Sequence, residues 1–250
     1  MKYLLLGLLV SFSILANAQA KTVAKIAAKD TALYNVQKSV YQNSLKYSDL
    51  AIAKSALYTM IAINPGDKTL RDTLLFLYLN AGSFGQSVLL SREILAENPT
   101  NTTVQEIKAV SEQNLGLTKE ALDSYEKLYG QTKNIFHLYQ TAVLQYQLKR
   151  YGECNANIDL IIKDEKATTE KVNINMGQNG ASQEVNLKAA AYNIKGVMML
   201  EGKREEEARA AFEQALKLQP DFELAKNNFS LTEKKPTATA KAPVKKPAGK

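Results

Sequence analysis

The chain of 250 residues repeats one arrangement of small and large side chains. A small residue is followed four and seven residues later by others that are mostly apolar, and this spacing places all three on one face of an α-helix. The small residues, at first 34 residues apart, are Ala53, Ser87, Ala121, Cys154 and Ala208. The positions that follow them carry Leu57 and Met60, Ser91 and Ile94, Tyr125 and Leu128, Ile158 and Ile161, and Phe212 and Ala215. Such a period predicts stacked helix pairs.

Alignment of these positions defines the predicted domain organisation. The five repeat units extend over about 34–67, 68–101, 102–135, 135–168 and 189–222. Pro65 and Pro99 keep the interval of 34 residues near the ends of the first two units. A lead-in helix is predicted over 23–45, and a further helix over 222–231 would cover the exposed end of the stack, as repeat arrays require. The predicted helical repeat domain therefore comprises residues 21–231.

The interval between the last two small residues is longer than the others. From Cys154 to Ala208 the step is 54 residues, which is one period with about 20 residues added. The insertion lies at 168–187, where apolar and polar residues alternate on both sides of Asn179-Gly180, a pattern typical of a β-hairpin. Since an isolated hairpin is marginal in water, it is expected to pack against the helices or a partner. The alternative is a flexible polar loop.

The last unit carries the most characteristic set of residues. They are Tyr192, Gly196, Ala208, Phe212, Ala215 and Pro220. In this register the chain resembles the tetratricopeptide repeat (TPR) family over about 34–222. The resemblance implies an all-α, right-handed superhelical array of antiparallel helix pairs, with the small β-hairpin inserted between the last two units.

The resemblance also implies a concave groove that holds peptides and is lined by the first helices of successive pairs. The corresponding positions in this chain are Asp72, Phe76, Leu79, Asn80, Glu106, Val110, Gln113, Tyr139, Val143, Tyr146, Asn193 and Val197. The family's carboxylate clamp needs Lys and Asn at set groove positions, and these are missing here. Tyr139 and Tyr146 lie seven residues apart on one helix face, where they serve either as interaction anchors or as core contacts.

The formal net charge of +7 is concentrated in the terminal segments. Residues 1–19 carry +1 and residues 232–250 carry +5, so the body between them is almost neutral. Because no basic stripe is evident in this body, no nucleic-acid partner is expected. Segment 232–250 is rich in Lys, Pro and Ala and is predicted to be disordered. It is either a solvated spacer or a polycation in weak contact with anionic envelope surfaces.

The first 20 residues are typical of a signal peptide. Lys2 precedes a short apolar stretch, and small residues follow where a signal peptidase would cut. The alternative is an uncleaved anchor. With the signal removed, no transmembrane helix is expected. We therefore predict an exported protein, and the sequence suits the periplasm of a Gram-negative bacterium.

Candidate catalytic chemistry is sparse in this sequence. His137 is the single histidine, and a solvated or hydrogen-bonded role is expected for it because no catalytic motif accompanies it. Cys154 occupies a helix-packing position, where burial raises the thiol pKa and suppresses reactivity. Paired histidines, cysteine clusters and a phosphate-binding glycine loop are missing from the sequence, so no enzyme, cofactor or metal is predicted. The alternative, an enzyme of unrecognised type, requires a compact pocket with several titratable groups.

These observations predict a non-enzymatic scaffold or adaptor for protein–protein interaction in the cell envelope. It would dock a segment of a protein or peptide partner on the surface of its helical repeats, without a covalent step. The alternative is a structural, self-assembling envelope component, because repeat arrays also associate by end stacking or lateral packing.

Overall fold

A computed structural model describes residue 27 and residues 30–175 and 182–233. Most of these residues are helical, and the predicted all-α repeat with an inserted hairpin is confirmed. The predicted signal peptide, the predicted turn at Asn179-Gly180 in the centre of the insertion, and the Lys-rich segment from 234 onward lie outside the described residues. No helix in the described part of the chain is long and apolar enough to cross a membrane.

Helices follow one another with short connections. The first, α1, covers residues 30–46. The following helices are α2 (Leu50–Ile63), α3 (Lys68–Asn80), α4 (Phe84–Glu97), α5 (Thr102–Asn114), α6 (Thr118–Thr132), α7 (Ile135–Gln147) and α8 (Tyr151–Lys163). A 3-10 turn (Glu165–Thr168) leads into strands β1 (Lys171–Asn175) and β2 (Ser182–Asn186). Helices α9 (Leu187–Glu201), α10 (Glu205–Leu218) and α11 (Glu223–Ser230) complete the described chain.

The repeated small residues occupy equivalent places in the structure. Each is the fourth residue of its helix, in α2, α4, α6, α8 and α10, and its N–H donates to the carbonyl of the residue before the helix at 2.9–3.0 Å. All five side chains are fully buried: Ala53, Ser87, Ala121, Cys154 and Ala208. Their burial confirms that the period of the sequence marks the helix face on which neighbouring helices pack.

The turns that precede these helices repeat as well. Two residues before each helix start, the backbone is left-handed, with φ between 58° and 72°. The residues at this position are Ser48, Gly82, Gly116, Lys149 and Lys203. A left-handed residue ends the preceding helix and reverses the chain. Glycine occupies two of these positions, so the repeat of the backbone is more regular than the repeat of the sequence.

The described chain divides into two compact units, at Gly116 and Leu117. In the first unit, consecutive helices from α2 to α5 pack against one another. Its core consists mainly of leucines from α2, α3 and α4, with two half-buried tyrosines of α1, Tyr34 and Tyr41, against it. The turn after α2 ends at Asp67 and that after α4 at Asn101, whose side chains accept from the N–H groups of the next helix and so cap it.

The second unit contains α6 to α11 and the hairpin. Val172 and Val185 face each other across the antiparallel strands and are both buried in the main core. The side-chain amide of Gln219 donates to the Glu184 carbonyl at 3.1 Å and accepts from the Asn186 N–H at 2.7 Å. This amide thus pairs with β2 as a further strand would, so the hairpin packs against the helices as expected.

The predicted helix over 222–231 is also present, as α11. Phe222 and Ala225 are fully buried and Phe229 is half-buried, so the predicted apolar face is the one turned inward. This helix packs against α9 and α10. It therefore covers part of the last helix pair, as the sequence predicts.

Candidate functional site

A groove of about 770 Å³ opens between α8, α9 and α10 in the second unit. Its wall is formed by residues of α8 (Tyr151, Gly152, Asn155), of α9 (Tyr192, Lys195, Met198, Met199, Glu201), of the following turn (Gly202, Arg204) and of α10 (Glu207, Ala210, Ala211, Gln214). The surface of this wall is mainly apolar, with charged groups among the aromatic and sulfur-containing side chains. A concave apolar surface with a few polar groups is the usual form of a binding site.

Close packing of α9 on α10 shapes one side of the groove. Gly196 of α9 faces the ring of Phe212, and a Cβ at this glycine would lie 2.4 Å from the nearest ring carbon. The missing side chain lets the two helices approach, and Phe212 is fully buried between them. Met199 belongs to the same small core as Phe212, while Met198 belongs to the main core of the unit. The apolar wall is therefore held by residues of two cores.

An ion pair connects α9 to α8, the third helix that bounds the groove. Lys195 Nζ of α9 lies 2.6 Å from the carboxylate of Asp159 on α8. On the α10 side, Arg204 pairs through two nitrogens with Glu207, one turn further along the chain. Each of these two cations therefore has a carboxylate partner. Both pairs are partly exposed, so their contribution to stability is small.

Glu201, the last residue of α9, has different partners. Its carboxylate accepts hydrogen bonds from the Tyr146 hydroxyl at 2.6 Å and from the Tyr151 hydroxyl at 3.0 Å. Burial, followed by the bond to Glu201, raises the pKa of Tyr146, and the bond to Glu201 is the main cause of the raised pKa of Tyr151. Both hydroxyls therefore stay protonated at neutral pH and hold the carboxylate in place.

The residues that the sequence singled out for chemistry lie in protein interiors. Burial raises the pKa of the Cys154 thiol to about 12, so it is protonated and unreactive at neutral pH. His137 is buried, and its Nδ1 lies 2.9 Å from the Thr132 hydroxyl. Among residues 30–175 and 182–233, no group of three or more His, Cys, Asp or Glu side chains is placed to hold a metal ion.

In the first unit, the predicted groove positions lie on two helices. On α3, Phe76 and Asn80 are exposed, whereas Asp72 and Leu79 are half-buried. On α5, Glu106 is exposed, and Val110 and Gln113 are half-buried. The structure thus leaves all seven at least partly accessible, and their role in binding stays a prediction.

In the second unit, two of the predicted groove positions are buried. Tyr139 is 4% exposed and belongs to the main core, and burial raises its pKa. Asn193 is buried as well, and its Oδ1 accepts from Asn228 Nδ2 of α11 at 2.9 Å. Val143 and Val197 are half-buried against the cores. Tyr146 is the predicted position that contacts the groove wall, through Glu201.

Sequence reasoning missed most of the groove. Tyr151 and Glu201 are 50 residues apart and stand on either side of the insertion, so no local spacing connects them. Their positions do share one signal, because Tyr151 opens a second helix of a pair and Glu201 ends a first helix. A search for aromatic and acidic residues at helix ends would have selected both.

Comparison with known proteins finds similar solved structures but no similar sequence. No family model matches the chain, and no curated protein matches its sequence. Solved structures do match. MamA shares 11% identity with a TM-score of 0.58, covering 75% of this chain and 92% of that one. YrrB, described as a TPR protein with an unusual peptide-binding site, shares 13% identity with a TM-score of 0.58, covering 75% and 87%. MamA from Desulfovibrio magneticus RS-1 shares 11% identity with a TM-score of 0.57, covering 76% of this chain and 97% of that one.

The helix pairs and these similarities define a helical repeat protein. Its fold is that of the tetratricopeptide repeat, as the sequence pattern predicts. At identities of 11–13%, the similarity concerns the fold.

Proposed function

We propose that the protein is a non-enzymatic interaction scaffold that docks a segment of a partner protein in the groove between α8, α9 and α10. The observation that carries this proposal is the groove itself, about 770 Å³ of concave surface with apolar walls and fixed polar groups. The described peptide-binding site of YrrB, which has the same fold, is a further argument for a peptide as the ligand.

The composition of the wall supports a protein segment as the ligand. Tyr151 is 40% exposed, and Tyr192 and Met198 also line the groove, so an apolar side chain placed there would be removed from water. Aromatic and methionine side chains are enriched in the cores of protein interfaces. The close, buried packing of α9 on α10 at Gly196 and Phe212 holds two of the bounding helices together, so the groove is largely formed before a ligand arrives.

Blocking the groove without disturbing the core tests this proposal. Ala210 lines the groove and is exposed, so Ala210→Trp would fill the space from the solvent side. Peptides selected from a random library on the full chain should lose binding to this variant. Ala96 is an exposed alanine of α4, and Ala96→Trp is the matched control, which should bind as the wild type does. Equal binding of all three proteins would contradict docking in this groove.

The predicted concave positions provide the competing location. Phe76 is the exposed aromatic residue among those positions on α3. If selected peptides tolerate Ala210→Trp but are lost with Phe76→Asp, the docking surface lies on the first helices of the repeats. The two variants therefore separate the two surfaces in one binding assay.

A role in the cell envelope is a further part of the proposal. It is supported by the signal-like sequence of residues 1–20. Expression of the full chain with a C-terminal tag, followed by fractionation and N-terminal sequencing, tests it. A mature protein that begins after residue 18 or 20 in the periplasmic fraction is the expected result. An intact N-terminus in the cytoplasmic fraction would contradict export.

A further inference from the structure

The groove contains one carboxylate whose partners are neutral. Glu201 accepts hydrogen bonds from two tyrosyl hydroxyls, and among the residues the structure describes it forms no ion pair within 4.0 Å. The two cations of the wall, Lys195 and Arg204, are each paired with another carboxylate. A carboxylate offers about four acceptor sites, and the tyrosines use two of them. The groove thus presents a negative charge with acceptor capacity left.

The surroundings of this carboxylate suit a cation that carries an apolar stem. The rings of Tyr146 and Tyr151 lie 6.0 Å apart and tilted by 52°, beside Glu201. Aromatic faces attract ammonium and guanidinium groups. Met198 provides apolar surface in the same groove, and the methylene stem of a lysine or arginine packs on such surface.

The position of Glu201 in its helix also favours a cation at this site. It is the last residue of α9, and the carbonyl end of a helix favours a positive charge. Because the two tyrosines already hold the carboxylate, a basic ligand would not have to order it on binding. The loss of side-chain entropy that weakens most exposed ion pairs is therefore reduced here.

We propose that the groove binds a lysine or arginine side chain of the partner segment, with the cation on Glu201 and its stem against Tyr151 and Met198. This inference rests on the proposed function, since it names the chemistry of the segment that the groove docks. It distinguishes the site from the carboxylate clamp, which binds a negatively charged terminus.

The test compares selected peptides on matched variants of the full chain. Peptides are selected from a random library on the wild type. Those that lose binding when Ala210→Trp fills the groove should share one basic position. Replacing that residue by neutral citrulline or glutamine should weaken binding roughly tenfold, as for loss of a charge-assisted hydrogen bond. On Glu201→Gln, the basic and the neutral peptide should bind equally. Glu206→Gln removes one exposed carboxylate outside the groove and should preserve the difference.

Several outcomes separate this inference from the proposed function. If the selected peptides lose binding to Ala210→Trp but share no basic position, this inference is overturned and groove docking stands. If the selected peptides bind Ala210→Trp as tightly as the wild type, groove docking itself is overturned. If a chain that ends at residue 233 binds the selected peptide much more tightly than the full chain, the chain's own Lys-rich segment occupies the site. That result would overturn the assignment to a partner.

The tyrosines provide an independent readout. Tyr151→Phe keeps the ring and removes one hydroxyl that holds Glu201, so it should reduce the preference for the basic peptide severalfold. Tyr151→Leu removes the ring as well and should reduce the preference further. Circular dichroism of each variant checks that the helices are retained. An unchanged preference in both variants would contradict the role of the aromatic wall.

Discussion

The contact between Gly196 and Phe212 allows a sharp test of how the last helix pair packs. A Cβ at Gly196 would lie 2.4, 2.6 and 2.7 Å from three carbons of the Phe212 ring. Ordinary contacts between carbon atoms are about 3.5–4.0 Å, so the ring would have to retreat by roughly 1 Å. Phe212 is fully buried, and closely packed interiors leave little room for such a movement.

Two opposing effects determine the stability of Gly196→Ala. Alanine is favoured over glycine in a helix interior by about 1 kcal/mol. Overpacking of a well-packed core costs about 1–3 kcal/mol, and a displacement of this size belongs at the upper end of that range. The variant should therefore lose about 1–2 kcal/mol in the free energy of unfolding.

The matched control is Gly130→Ala in α6. A Cβ at Gly130 meets nothing within 4 Å, so the substitution should stabilise the second unit by roughly 0.5–1 kcal/mol. Urea unfolding followed by far-UV circular dichroism measures both variants, with exchange of α9 and α10 amide protons assigning the transition to this unit. The reasoning is refuted if Gly196→Ala is as stable as the wild type while Gly130→Ala is stabilised. In a Phe212→Leu background, Gly196→Ala should cost much less.

Three further predictions concern other parts of the molecule. Lys203→Gly should raise the free energy of unfolding by about 1 kcal/mol in urea titrations, because a lysine at φ 59° carries left-handed strain. Hydrogen bonds from Arg71 and then Lys68 lower the pKa of Glu97 to about 2 from its ordinary 4.5. The ion pair therefore stabilises the folded state fully above pH 4.5 and progressively less as the pH falls toward 2. Arg71→Gln should raise the pKa of Glu97 in a carboxyl NMR titration. Gln219→Ala should speed exchange of the Asn186 N–H roughly fivefold, for a hydrogen bond of about 1 kcal/mol.

Each of these predictions has a result that would contradict it. A destabilised Lys203→Gly would mean that the turn does not strain the lysine backbone. A Glu97 pKa near 4.5 in the wild type would mean that the pair with Arg71 is not formed in solution. Unchanged exchange at Asn186 would mean that water replaces the Gln219 amide without loss.

The sequence predicted the repeat itself, and the physical reason is local. A helix must place its apolar residues on one face, so the spacing of Ala53, Leu57 and Met60 already specifies which side is buried. All three are buried in the structure. The hairpin could be predicted for the same reason, because Val172 and Val185 alternate with polar residues and pair across the strands. These are properties of short segments of chain.

The candidate groove could not be predicted in this way. Tyr139 and Tyr146 share one helix face, yet one is a core residue and the other reaches Glu201. Their different settings depend on which neighbouring helices cover that face, and helix periodicity does not contain this information. The left-handed turn at Lys203 could not be predicted from the sequence either, because lysine does not by itself favour a left-handed backbone.

By itself, then, the sequence determined the helices, their buried faces, the inserted hairpin and the class of fold, since each depends on periodicity within a segment. Only the tertiary structure decided where a ligand has room. The groove arises because α8, α9 and α10 bring together side chains such as Tyr151 and Glu201, which are remote along the chain. Their distance and charge balance depend on how closely the helices pack.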